Sequence, residues 1–145
     1  MRHSSIAACV GLLLLCGQGA EARAGETRWP KDAKVFFVEP KNGAEIGGPV
    51  KVAMGVEGIA IAPAGTETPA TGHHHILVDT DLPKGAQAQQ PLPASDNIKH
   101  FGKGQTETVL TLPPGKHTLQ LVVGDGNHVP YDPALASEKI TITVK

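Results

Sequence analysis

Apolar residues recur at every second position in several short stretches, the period of a strand with one covered face. Residues 49–56 put Val50, Val52, Met54 and Val56 on one side. Residues 116–123 alternate most regularly: His117, Leu119, Leu121 and Val123 face one way, Thr118 and Gln120 the other. Ile140, Ile142 and Val144 repeat the pattern near the end, and shorter strand candidates lie at 35–38, 73–78, 97–101 and 106–112. Between them stand Glu39-Pro40, Lys41-Asn42-Gly43, Gly102-Lys103-Gly104 and Pro113-Pro114-Gly115, which suit turns and end strands. Residues 59–65 read as a short extended piece or a loop. Residues 84–95, rich in Gln, Ala and Pro, show no period and predict a long exposed loop, either functional or mobile. A second long loop opens at Gly124. No internal repeat or amphipathic helix is visible. About seven short strands punctuated by Gly and Pro predict an all-β domain, an antiparallel β-sandwich of immunoglobulin-like type, with a small barrel as the alternative. The disulfide and buried tryptophan of antibody domains are missing from the pattern.

The first two dozen residues follow another logic. Arg2 is a short positive region, residues 6–15 form an apolar run too short to span a bilayer, and Ala20, Ala22 and Ala24 are small. These are the parts of a secretory signal peptide, with cleavage expected after Ala24. A lipoprotein variant anchored at Cys16 is the lesser reading, because the preceding Leu15 is larger than lipidation normally allows. The expected organisation is a signal peptide at 1–24, a polar lead-in at 25–34 and one β-sandwich domain at 35–145.

Composition narrows the chemistry. Both cysteines, Cys9 and Cys16, leave with the signal, so the mature chain is expected to have neither disulfide nor thiol chemistry. The net charge of −1 offers no basic surface for nucleic acid, and no later apolar run predicts a transmembrane segment. Ser95 and Ser137 lie in no nucleophile-elbow context, and no His-Glu-x-x-His motif is present. Six of the seven histidines fall after residue 24, in a chain with only three Phe, one Trp and one Tyr. Imidazole is the side chain to follow.

Gly72-His73-His74-His75-Ile76-Leu77-Val78-Asp79 concentrates it. In a strand, His73 and His75 share a face with Cα atoms about 6.5–7 Å apart, close enough to converge on one ion. His74 shares the face of Ile76 and Val78 and is expected to be a packed, hydrogen-bonded core residue. In a seven-stranded sandwich of this order, the start of the histidine strand, His100 and the loop carrying Asp125 and His128 fall at one end. His117 falls at the other, with a structural role expected. The candidate ligands are therefore His73, His75, His100 and His128, with Asp125 as an orienting residue and Lys103 and Gln105 as lining. Nitrogen donors without thiolates suit Cu(II) or Zn better than Ca or Mg.

At Gly72-His73-His74-His75, His100-Phe101-Gly102-Lys103-Gly104-Gln105-Thr106-Glu107, Pro114-Gly115-Lys116-His117-Thr118-Leu119-Gln120-Leu121 and Gly124-Asp125 with His128, the sequence resembles a bacterial periplasmic family, domain of unknown function 4399. The resemblance spans nearly all of residues 36–144. It implies an exported single-domain protein and brings no established activity. The His-x-His strand is also superficially similar to copper–zinc superoxide dismutase, whose cysteines and remaining pattern are absent. The expected function is a periplasmic or secreted β-sandwich that binds Cu or Zn as a carrier, buffer or accessory factor. The alternatives are a metal-free module recognising a cell-envelope ligand or partner protein, and a metal-dependent enzyme; the reading leans away from an enzyme.

Overall fold

The computed structural model describes residues 29–130 and 133–145. The expected signal peptide, with Cys9 and Cys16, lies outside the described residues. The described residues form nine strands: β1 (Lys34–Glu39), β2 (Glu45–Ile46), β3 (Val50–Glu57), β4 (Ala60–Ile61), β5 (Thr71–Val78), β6 (Ile98–His100), β7 (Glu107–Leu110), β8 (Gly115–Gly124) and β9 (Ile140–Val144). One sheet has the order β1-β3-β7; the other runs β2-β9-β8-β5-β4, with β6 also beside β5. The longer pairings are antiparallel, as in an immunoglobulin-like sandwich. The seven alternating stretches all become strands. Two additional strands, β2 and β4, have two residues each and pair in parallel with β9 and β5.

The alternation decides which side chains enter the sandwich. Val50, Val52 and Met54 from β3 meet Leu119, Leu121 and Ile142 from β8 and β9 in the main core. Each such side chain contributes roughly 1.5–3 kcal/mol by leaving water. Trp29 and Ala33, in the expected polar lead-in, pack against this core, so residues 29–34 are part of the folded body.

β5 is covered on both faces, with every residue from Gly72 to Val78 buried. His74, Ile76 and Val78 point to the interior side, and Ile76 and Val78 belong to the main core. Leu77 instead joins a second, smaller cluster with Leu92, Ile98 and Val122. Leu92 comes from the 84–95 stretch. That stretch contains a 3-10 turn (Gly85–Gln89) and, despite its polar composition, inserts one leucine that folds it over the outer face of the sheet. The outer side of β5 thus lies beneath loops, and it is the side that carries His73 and His75.

Candidate metal centre

Four imidazoles meet there. His73, His75, His100 and His128 each offer a ring nitrogen such that all four atoms lie within 4.8 Å of one another. His73 Nε2 is 2.8 Å from His128 Nδ1 and 2.9 Å from His100 Nε2. The rings of His75 and His100 stack at 4.7 Å with 7° between their planes, and His128 stands edge-on to His100 at 4.2 Å.

Strand register does most of the positioning. His75 sits opposite His100 in the β5–β6 ladder, and His73 opposite Gly124 in the β5–β8 ladder. Gly124 has to be glycine: a Cβ there would lie 2.8 Å from His75 Cε1 and 3.2 Å from the His128 carbonyl carbon. Gly72 plays a similar part at the strand's entrance, where a Cβ would lie 2.6 Å from the Gly124 oxygen and 2.8 Å from the Trp29 ring. Three loops then close the rim, with Ala64 N donating to Gly102 O and Gly65 N to Gly126 O.

Asp125 acts differently from the expected orienter of an imidazole. Its carboxylate accepts from Asn127 N and Val129 N, and its carbonyl accepts from His128 N. It shapes the backbone on either side of His128, which adopts a left-handed φ of 67°, rather than bonding the ring. Lys103 and Gln105 are not among the residues seen to touch the histidines. Both are exposed, and Gln105 Oε1 accepts from Lys103 N to close a turn of its own. A short polar side chain in a tight turn finds its nearest backbone N–H before any distant group.

Electrostatics keep the buried rings neutral. Burial, reinforced by His100 and His128, lowers His73 from 6.5 to about 4. Burial followed by its three neighbours takes His75 to about 3. His100 is lowered by burial and then by His128. At neutral pH these nitrogens therefore carry lone pairs, the form a metal requires.

Hydrogen bonding alone does not satisfy them. A neutral imidazole nitrogen holds either one proton or one lone pair, yet His73 Nε2 faces two other imidazole nitrogens at hydrogen-bond distance. Among the described residues, His73 Nδ1 and both nitrogens of His75 are buried with no partner in hydrogen-bond geometry. A cation between the rings would accept several lone pairs at once. Four nitrogens about 2.0–2.1 Å from one ion lie roughly 2.9–3.4 Å from their neighbours, close to the shortest separations here. The residues fit a nitrogen-bound transition metal.

His74 is fully buried, as expected for a core residue, but among the described residues its two nitrogens have no hydrogen-bond partner, contrary to expectation. His117 stands at the far end of β8, with Nδ1 2.7 Å from Asp79 Oδ2 and Nε2 2.8 Å from Pro113 O. Both partners are acceptors, so both nitrogens donate, which only the imidazolium can do. Its pKa is accordingly raised, by the Asp79 hydrogen bond first and the Pro113 carbonyl second, with burial opposing. Gly124 and Leu92 were missed by sequence reasoning. The Gly124-Asp125-Gly126 run reads as turn chemistry, and nothing marks Leu92 within an aperiodic stretch.

Fold and site together define a small β-sandwich with a histidine-lined candidate metal centre on the outer face of one sheet. The chain belongs to the family described as Domain of unknown function (DUF4399), whose model matches residues 52–145 and so includes all four histidines. No curated protein matches it. Among solved structures it is similar to the endo-beta-1,4-mannanase from Thermotoga petrophila, with 18% identity and a TM-score of 0.45. That likeness covers 79% of this chain and 20% of the mannanase chain.

Proposed function

We propose that this protein is an exported, periplasmic binder of a transition metal ion, Cu or Zn. His73, His75, His100 and His128 would hold the ion. The observation that carries the proposal is the convergence of four imidazoles, two of them buried without enough hydrogen-bond partners to satisfy their nitrogens. Export is supported by the charged, apolar and small-residue order of residues 1–24. Metal-free protein titrated calorimetrically with Cu(II) or Zn(II) should bind one equivalent. The His73→Ala, His75→Ala double variant should bind none while keeping its β-sheet circular dichroism. Unchanged binding in the double variant removes this ligand set.

A second reading has one observation in its favour. A groove of about 480 Å³ beside His100, lined by Ser95, Lys99, Phe101, Thr108 and Leu110 among others, offers mixed polar and apolar surface to a cell-envelope ligand. A wild-type protein that binds neither metal would favour that metal-free recognition role.

A further inference from the structure

We propose that the ion is exchangeable cargo, gripped by His73 and His75 and handed to an acceptor through the side closed by His100 and His128. This rests on the metal-binding reading above. The two halves of the centre are built differently. His73 and His75 are 0% and 1% exposed and sit on β5, which is hydrogen-bonded to β8 along one edge and to β4 and β6 along the other. His100 is the exposed last residue of a three-residue strand. His128 is half-buried on a loop, in a left-handed backbone conformation that a non-glycine residue adopts only under constraint.

The second half is held by replaceable contacts. Asp125 accepts the backbone N–H groups around His128, and Leu92 N donates to the His128 carbonyl. The Leu92 side chain is buried in the small cluster with Leu77, Ile98 and Val122. Movement of the 84–95 stretch therefore loosens His128 while the β5 ladder stays paired.

The buried rings also lack an outer brace. Metal-bound histidines usually donate their remaining N–H to a carboxylate or carbonyl, worth about 10–100-fold in affinity. Among the described residues His73 Nδ1 has no such acceptor, and His75 has at most the His73 backbone nearby, not in full hydrogen-bond geometry. That construction suits an ion that must leave.

Transfer is then stepwise ligand exchange. An imidazole nitrogen of an acceptor protein bonds to the ion from the exposed His100 side as the bond to His128 breaks, and the exchange repeats at His100. His73 and His75 release last. The ion keeps its oxidation state, and each step trades one imidazole lone pair for another, so no electron has to be supplied.

Trp29, the single tryptophan, packs against Gly72 on the core face of β5, across that strand from the histidine centre, so bound Cu(II) should quench its emission through the sheet and report loading. The test mixes Cu(II)-loaded protein with excess free histidine, used as a competing imidazole, in a stopped-flow fluorimeter. Emission should recover at a rate proportional to histidine concentration. His128→Ala should still bind one equivalent and release it at least tenfold faster. Leu92→Ala, which keeps all four imidazoles, should also release faster at unchanged stoichiometry. A rate independent of competitor, or no acceleration in either variant, would overturn the cargo role and leave a resident ion. Failure of the wild type to bind Cu(II) or Zn(II) at all would overturn the metal reading as well.

Discussion

Adding one methyl group at Gly124 should cost the centre one of its four bonds without replacing any ligand residue. A Cβ at that position lies 2.8 Å from His75 Cε1, where ordinary van der Waals contact begins near 3.4 Å. The ring must therefore retreat by about 0.6 Å, the difference between those distances. Cε1 is bonded to both ring nitrogens, so whichever nitrogen faces the ion retreats with it. Metal–nitrogen bonds tolerate about 0.2 Å, so one of the four bonds is lost. Four-ligand zinc sites bind with about 10–16 kcal/mol, roughly 3 kcal/mol per ligand, and the expected loss for Gly124→Ala is about 100-fold in affinity. The same crowding should cost the metal-free fold about 1–3 kcal/mol. Calorimetric titration gives the first quantity and urea unfolding the second. Gly47→Ala, where nothing lies within 4 Å of the added Cβ, is the matched control. Wild-type affinity in Gly124→Ala would refute the placement of His75 in the ligand set.

Other expectations can be checked with the same protein. His74→Leu replaces two buried nitrogens that have no hydrogen-bond partner with an apolar side chain, and should stabilise the fold by about 1–3 kcal/mol at pH 7; a lower Tm would contradict the assignment of His74 to the dry core. His117 has a folded pKa raised above 6.5, so the stability it adds is fully present below pH 6.5 and fades as pH rises through the raised value. His117→Gln should therefore lose about 1–2 kcal/mol at pH 5.5, a figure discounted because the Asp79 side chain is 41% exposed, with the gap closing in alkaline buffer. A gap that widens with pH would mean that the ring is neutral. Saturating metal at 100 times its Kd should add about 2.7 kcal/mol, seen as a rise in Tm of roughly 10 °C that disappears in the His73→Ala, His75→Ala variant.

The sandwich was legible because its long strands alternate strictly: Val50, Val52 and Met54, or Leu119, Leu121 and Val123, admit one orientation only. The pairing of His73 with His75 followed from the same period. That His100 and His128 join them followed from strand order, since alternate connections of a sandwich share an end. What stayed illegible depends on contacts without a period. β2 and β4 are two residues long, too short for any alternation to show. Leu92 is one anchor among Gln, Ala and Pro, and its partner Leu77 is distant in sequence. Asp125 and Gln105 were read as site residues because residue type alone does not show that their side chains accept from backbone N–H groups close by in the turn. Trp29 reaches the core from a stretch whose neighbours are polar.

The triplet at 73–75 makes the number of outward-facing donors a readout of strand alignment. With His73 opposite Gly124 and Val78 opposite Leu119, two imidazoles emerge on the loop side and one turns inward. A shift of β5 by a single residue reverses every side chain, leaving one emerging imidazole and sending two into the apolar interior. Chelation would then fail even though a histidine still occupied the surface. Loading with metal would thus distinguish correctly zipped molecules from chains that collapsed one step out of phase.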